Sequence, residues 1–162
     1  MTDLPVYSIT REFDAPRDMV WRVWTTPALL ARWYGPGVET IIHEFDLRAG
    51  GVWRNEMKMR GMSMCSKMSF TEVIPGEKMV WEHASTDANW NIAPSPMMPD
   101  WPQVMLTEVI FAEANGKTTV TLTQTPMNAS EAELACFAKM MSGMDNGWGS
   151  GYKIIDEILA EL

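Results

Sequence analysis

Residues 6 to 14 (VYSITREFD) alternate between two sides, with Val6, Ser8, Thr10 and Glu12 on one and Tyr7, Ile9, Arg11 and Phe13 on the other, as in a half-buried strand. Asp14-Ala15-Pro16 then opens a helix. Asp14 is placed to cap it, Pro16 falls early in its first turn, and Val20, Trp21 and Trp24 follow at helical spacing. Thr26-Pro27 restarts a second short helix, whose apolar face of Leu29, Leu30 and Trp33 ends at Gly35-Pro36. From residue 38 to 125 the period is two, giving strands over 39–47, 51–59, 62–73, 78–84, 104–113 and 117–125. Ala49-Gly50-Gly51, Arg60-Gly61, Pro75-Gly76 and Asn115-Gly116 separate most of them with turn chemistry, and such short connections imply an antiparallel meander.

One connection breaks the rhythm. Residues 85–103 carry Pro94, Pro96, Pro99 and Pro102 among Trp90, Met97, Met98 and Trp101, a length and apolar content that point to a lid or binding loop. After Pro126 the helical period returns behind a capping box, with Ser130 as N-cap and Glu133 three residues on. Leu134, Phe137, Ala138 and Met141 share a face that Trp148, Tyr152, Ile155, Leu159 and Leu162 continue. Gly143, Gly147, Gly149 and Gly151 weaken its middle, where a kink or two abutting helices are expected.

Composition narrows what such a chain can do. The 162 residues suit one core and a single domain over 1–162, and 46% hydrophobic with 21% charged residues removes the case for disorder. No apolar run is long enough to cross a membrane and the first residues lack a signal-peptide plan, so cytoplasmic residence without membrane insertion is the default expectation. A net charge of −8 without a Lys/Arg cluster argues against a nucleic-acid partner. Cys65 and Cys136 stand alone and read as structural thiols, and neither they nor His43 and His83 show metal-ligand spacing, so no metal or other cofactor is expected. The 15 Met and 8 Trp, in contrast, exceed what packing requires and supply soft, adaptable apolar surface.

The motifs REFDAPRDMVWRVWTTPALLARWYGP (11–36), DLRAGGVWR (46–54), FTEVIPGEKMVW (70–81), TTVTLTQ (118–124) and GWGSGYKIIDEILAEL (147–162) stand in an order that covers almost the whole chain. In them the chain resembles the SRPBCC superfamily, also called START-like or Bet v 1-like, and within it the branch named for the activator of heat-shock protein 90 ATPase. The resemblance implies an α+β helix-grip fold: a curved antiparallel sheet of about seven strands around a long C-terminal helix, with two short helices after the first strand. It also implies a ligand cavity between sheet and final helix.

Strand parity and helical face select the side chains expected to line that cavity: Trp24, Trp33, Trp53, Met57, Met59, Met64, Met68, Trp81 and Phe111, with Phe137, Met141, Met144 and Trp148 from the helix. Met62 and Met140 belong to the same methionine sets. Catalytic machinery is not marked. Glu56, Glu82 and Glu108 lie on strands where a buried carboxylate would make a general base, but alternation sends Glu56 and Glu82 to solvent, and no nucleophile-elbow motif frames any Ser. Gly50-Gly51 reads as a tight turn and Trp33-Tyr34-Gly35-Pro36 as a structural anchor. The expected function is therefore non-catalytic binding of a small hydrophobic molecule. Two alternatives stay open: a cyclase-, aromatase- or hydrolase-like enzyme using a cavity carboxylate or His, and a chaperone-accessory interaction module. A symmetric homodimer is open as well, without an interface signature.

Overall fold

A computed structural model describes residues 4–96 and 98–162; Met97 of the long loop lies outside the described residues. The chain runs β1 (Tyr7–Phe13), α1 (Arg17–Thr25), α2 (Pro27–Trp33), β2 (Glu39–Phe45), β3 (Val52–Met59), β4 (Met62–Ile74), β5 (Lys78–Thr86), β6 (Val104–Ala114), β7 (Lys117–Pro126) and α3 (Glu131–Glu161). All seven strands form one antiparallel sheet in the order β1-β7-β6-β5-β4-β3-β2, so the meander folds by neighbours and only β1 crosses over, to pair with β7. This is the α+β helix-grip arrangement.

The turns explain the register. Arg60-Gly61 and Asn115-Gly116 each place two consecutive residues at positive φ, the backbone of a two-residue hairpin loop, and so fix Met59 opposite Met62 and Ala114 opposite Lys117. Gly51 is needed for space rather than for its φ: a Cβ there would stand 2.0 Å from the Asp46 carbonyl oxygen. Bulges between Ile42 and Glu44 and between Phe70 and Glu72 shift the register of β2 and β4.

The helix starts divide. Ser130 and Glu133 form the complete capping box of α3, as their spacing predicts. Asp14 does not cap α1: Pro16 occupies the N-cap position without a side-chain cap, and the Arg17 N–H of the first turn donates instead to the Glu113 carboxylate at 2.9 Å. The glycines in the middle of α3 produce neither a break nor a second helix; its 31 residues form one hydrogen-bonded run. Gly151 shows why the chain accepts such a weak helix former, since a Cβ there would come 2.8 Å from the Trp33 carbonyl oxygen where α3 crosses the end of α2. Phe137, Tyr152, Ile155, Ile158 and Leu159 bury their side chains, whereas Ala138 and Leu162 are exposed.

The core forms where α1, α2 and the second half of α3 close on the sheet. Trp24 packs edge-on against Trp33 and Phe111 at 4.5 and 5.7 Å between ring centroids, and stacks at 6.4 Å with Trp148. Phe13 meets Tyr152 edge-on at 5.3 Å. Trp33 anchors the corner by donating its indole N–H to the Val23 carbonyl at 3.1 Å. Arg11 of β1 ties down α3 through the Tyr152 carbonyl and the Asp156 carboxylate.

Candidate functional site

Odd-numbered residues of β3 and even-numbered residues of β4 before its bulge face the concave side, as do Met79, Trp81, His83 and Ser85 of β5. The register sets them in rows across the sheet. Trp53, Met68, His83 and Met105 are successive partners; Asn55, Ser66 and Ser85 form the next row; Met57 and Met64 form the one beyond. Around Trp53 the first row is sealed by aromatic packing, with Trp53 4.9 Å from Tyr34 and 5.8 Å from Trp81 between ring centroids. Further out the covering helix no longer fills the space. A hollow of about 480 Å³ opens there, within the range usual for small-molecule sites. Its wall on the sheet is Met57, Met59, Met64, Cys65, Ser66, His83, Ser85 and Thr86; its roof is Met140, Gly143 and Met144 of α3 with Ser95, Pro96, Met98 and Trp101 of the long loop, and Tyr34 closes one end.

Specific contacts hold the described residues near both ends of the loop over 87–103. Asp87 accepts from the backbone N–H groups of Asn89 and Asn91 at 2.8 and 3.0 Å, an Asx-type turn. Trp90, at positive φ, reaches the outer face of the sheet, where it packs edge-on to His43 at 5.4 Å and under the Arg54 guanidinium. The second half returns over the hollow: Trp101 packs on Phe137 at 5.4 Å, and the Gln103 N–H donates to the Glu133 carboxylate at 3.0 Å. The capping box of α3 thus also holds the end of the loop.

Of the side chains selected by parity and helical face, Met57, Met59, Met64 and Met144 lie on the wall of this hollow. Trp33 and Trp148, again with Met144, border a smaller space of about 260 Å³ beside Gly147 and Gly151. Trp24, Trp53, Met68, Trp81, Phe111 and Phe137, expected at the cavity as well, do not line this hollow: they are buried in the packed core, and Met141 packs half-buried against it. Their faces are as expected, but parity says which side a residue takes and nothing of how far along the strand the packing ends. Met62 is exposed and lines neither space.

The hollow also contains residues that periodicity does not pick out. Cys65 is half-buried on its wall rather than a core thiol; burial first, and then the charges of Glu56 and Asp87, push its pKa up and keep it protonated. Tyr34 is likewise kept neutral by burial. His83 has its Nδ1 buried without a partner, and desolvation lowers its pKa to about 4, so the ring is neutral at physiological pH. Ser66 and Ser85 add hydroxyls. No Asp, Glu, Lys or Arg is among the described residues of the lining. The candidate carboxylates lie elsewhere. Glu56 sits at a hollow on the outer face with His43, its pKa lowered by hydrogen bonds from Ser63 and His43. Glu82 lines another outer-face hollow, and Glu108 lies beside Lys78. Among the described residues no cluster of three or more His, Cys, Asp or Glu is arranged to hold a metal ion, and no helix is long and apolar enough to cross a membrane.

Comparison with known proteins places this geometry in a family. Protein Ms6760 of Mycobacterium smegmatis shares 26% identity over 98% of this chain and 96% of its own, with a TM-score of 0.79. A protein from Arthrobacter aurescens gives 0.81 at 23% identity, covering 100% of this chain and 91% of that one, and protein NE0264 of Nitrosomonas europaea gives 0.74 at 22%, covering 99% and 97%. At those lower identities the likeness is one of fold. A search of curated proteins finds no match. The family and fold are of a kind that serves as ligand-binding or accessory domains. The model for the family described as Activator of Hsp90 ATPase homolog 1-like protein matches residues 14–160, nearly the whole fold, and the chain belongs to that family.

Proposed function

We propose that this protein binds a small, predominantly apolar molecule in the hollow between β3–β5 and α3, without chemical conversion. The observation that carries the reading is the lining: six methionines and Trp101 surround one space, and thioethers adapt their shape to an irregular apolar guest better than branched side chains do. The long loop supports it, because Met98 and Trp101 form part of the roof while the loop's ends are held by Asp87 and Glu133. Native mass spectrometry of the purified protein, set against its denatured mass, tests the proposal. A reproducible bound mass lost on denaturation is expected. The absence of any adduct, together with failure to take up added apolar compounds, would overturn it.

An acid–base enzyme is the second reading, and His83 is the observation in its favour. A neutral imidazole on the wall of an apolar hollow can accept a proton from a bound substrate. The carboxylate version of that reading loses its support, since Glu56, Glu82 and Glu108 line other surfaces. Turnover abolished by His83→Gln with ligand affinity retained would establish the enzyme over the binder.

A further inference from the structure

The concave wall carries a band of hydrogen-bonding groups between apolar rows. Asn55, Ser66 and Ser85 are direct cross-strand partners, and His83 precedes Ser85 by two residues on the same face of β5. On one side of the band stand Met57, Met59 and Met64, and on the other the sealed aromatic core around Trp53 and Trp81. Side chains opposite one another on an antiparallel pair have Cβ atoms about 5 Å apart, so one small polar group of a guest can reach several members of the band at once.

Two of these groups lack partners. His83 Nδ1 and Asn55 Oδ1 are both buried and unpaired, and Asn55 is only 1% exposed; buried polar atoms are seldom left unsatisfied, so such a pair calls for a partner. His83 and the two serines lie on the wall itself. The lining is also without formal charge: Cys65, Tyr34 and His83 are its ionisable groups, and each is held in its neutral form. A carboxylate or ammonium brought here would lose its water without gaining a counter-charge.

Building on the binding function proposed above, we infer that the hollow selects uncharged apolar molecules bearing one hydroxyl, and that His83 with Ser66 and Ser85 is the specificity-determining cluster that receives it. A hydroxyl matches because it both donates and accepts: it donates to an unprotonated imidazole nitrogen and accepts from a serine hydroxyl. A pure hydrocarbon fills the thioether region and leaves the band unsatisfied; a carboxylate fails on desolvation.

Calorimetric titration of the intact protein at neutral pH with naphthalene, naphthol and naphthoate decides the matter, since the three share one ring system and differ in the polar group. Naphthol is expected to bind about three- to tenfold more tightly than naphthalene, the gain of a net hydrogen bond, and naphthoate more weakly than either. In His83→Leu the advantage of naphthol over naphthalene shrinks to less than about threefold while naphthalene binding holds or improves. The double variant Ser66→Ala/Ser85→Ala, which removes only two hydroxyl oxygens, gives the same narrowing should the leucine variant fold poorly. Equal binding of naphthalene and naphthol would overturn the hydroxyl inference and leave the apolar site standing, as would tightest binding of naphthoate. Failure of all three would overturn the inference and the binding function together.

Discussion

The concave face of this sheet is built in two styles. Toward β1, β6 and β7, under α1, α2 and the second half of α3, aromatic side chains close on one another: Trp24 alone meets Trp33, Phe111, Trp148 and Tyr152. Toward the outer ends of β3–β5, beneath the first half of α3, the inward positions are methionine, serine and histidine around about 480 Å³ of space. The same alternation of residues produces both regions. The difference lies in what stands opposite, because α3 packs closely against α1, α2 and β1 and spans the other region as a roof. Rigid aromatics hold the fold where the helix touches, and flexible thioethers line the part where it does not.

The sharpest way to break this contrast is to truncate one residue from each region. Trp24→Ala removes the hub of the packed region and is expected to cost about 3–5 kcal/mol, a fall of roughly 10 °C or more in melting temperature. Met64→Ala enlarges a space that already exists and should cost only about 1 kcal/mol. Thermal melts of the two variants check this; equal losses would mean that the methionine region is packed as tightly as the aromatic one.

His83, on the boundary, sharpens the comparison through pH. Its pKa falls from an ordinary 6.5 to about 4 on folding, because burial penalises the charged ring. Between those values the unfolded chain binds the extra proton, so stability drops as pH falls from about 6.5 to about 4, by up to about 3 kcal/mol, and this contribution is flat above that window. Denaturant melts of wild type and His83→Leu should keep a constant offset above about pH 6.5 and change relative to each other across the window, because only wild type loses this stability toward the acid end. Parallel curves would place the ring in water. A smaller effect belongs to the helix crossing: Gly151→Ala gains helix propensity but pushes a Cβ against the Trp33 carbonyl, and a net loss of about 1–2 kcal/mol in a chemical melt is expected.

Much of this fold was legible in the sequence, and the reasons are local. Period-two runs gave the strands to within a few residues, Asn115-Gly116 and Arg60-Gly61 gave hairpins, and Ser130 with Glu133 gave the start of α3. Where local chemistry met a tertiary demand, the reading failed. The glycines of α3 suggested a break, but Gly151 serves a close helix crossing and the helix continues. For the candidate site, strand parity put Met57, Met59 and Met64 on the concave face, yet it could not separate them from Trp53, Met68 and Trp81 on that same face, because the boundary between core and hollow depends on where α3 and the loop lie. His83, Ser66 and Ser85 carried no motif; only the register of β4 and β5 brings them together.

The central claim, that the methionine-lined region is an open site for an apolar guest, is tested most directly by filling it. Titration of wild type and Met144→Trp with the neutral fluorescent probe N-phenylnaphthylamine, each protein checked by its thermal melt, is the measurement. Saturable one-to-one binding to wild type, reduced at least about tenfold by a tryptophan that occupies the space while the melt holds within a few degrees, is the result predicted. Equal binding by both proteins, or none by either, would contradict it.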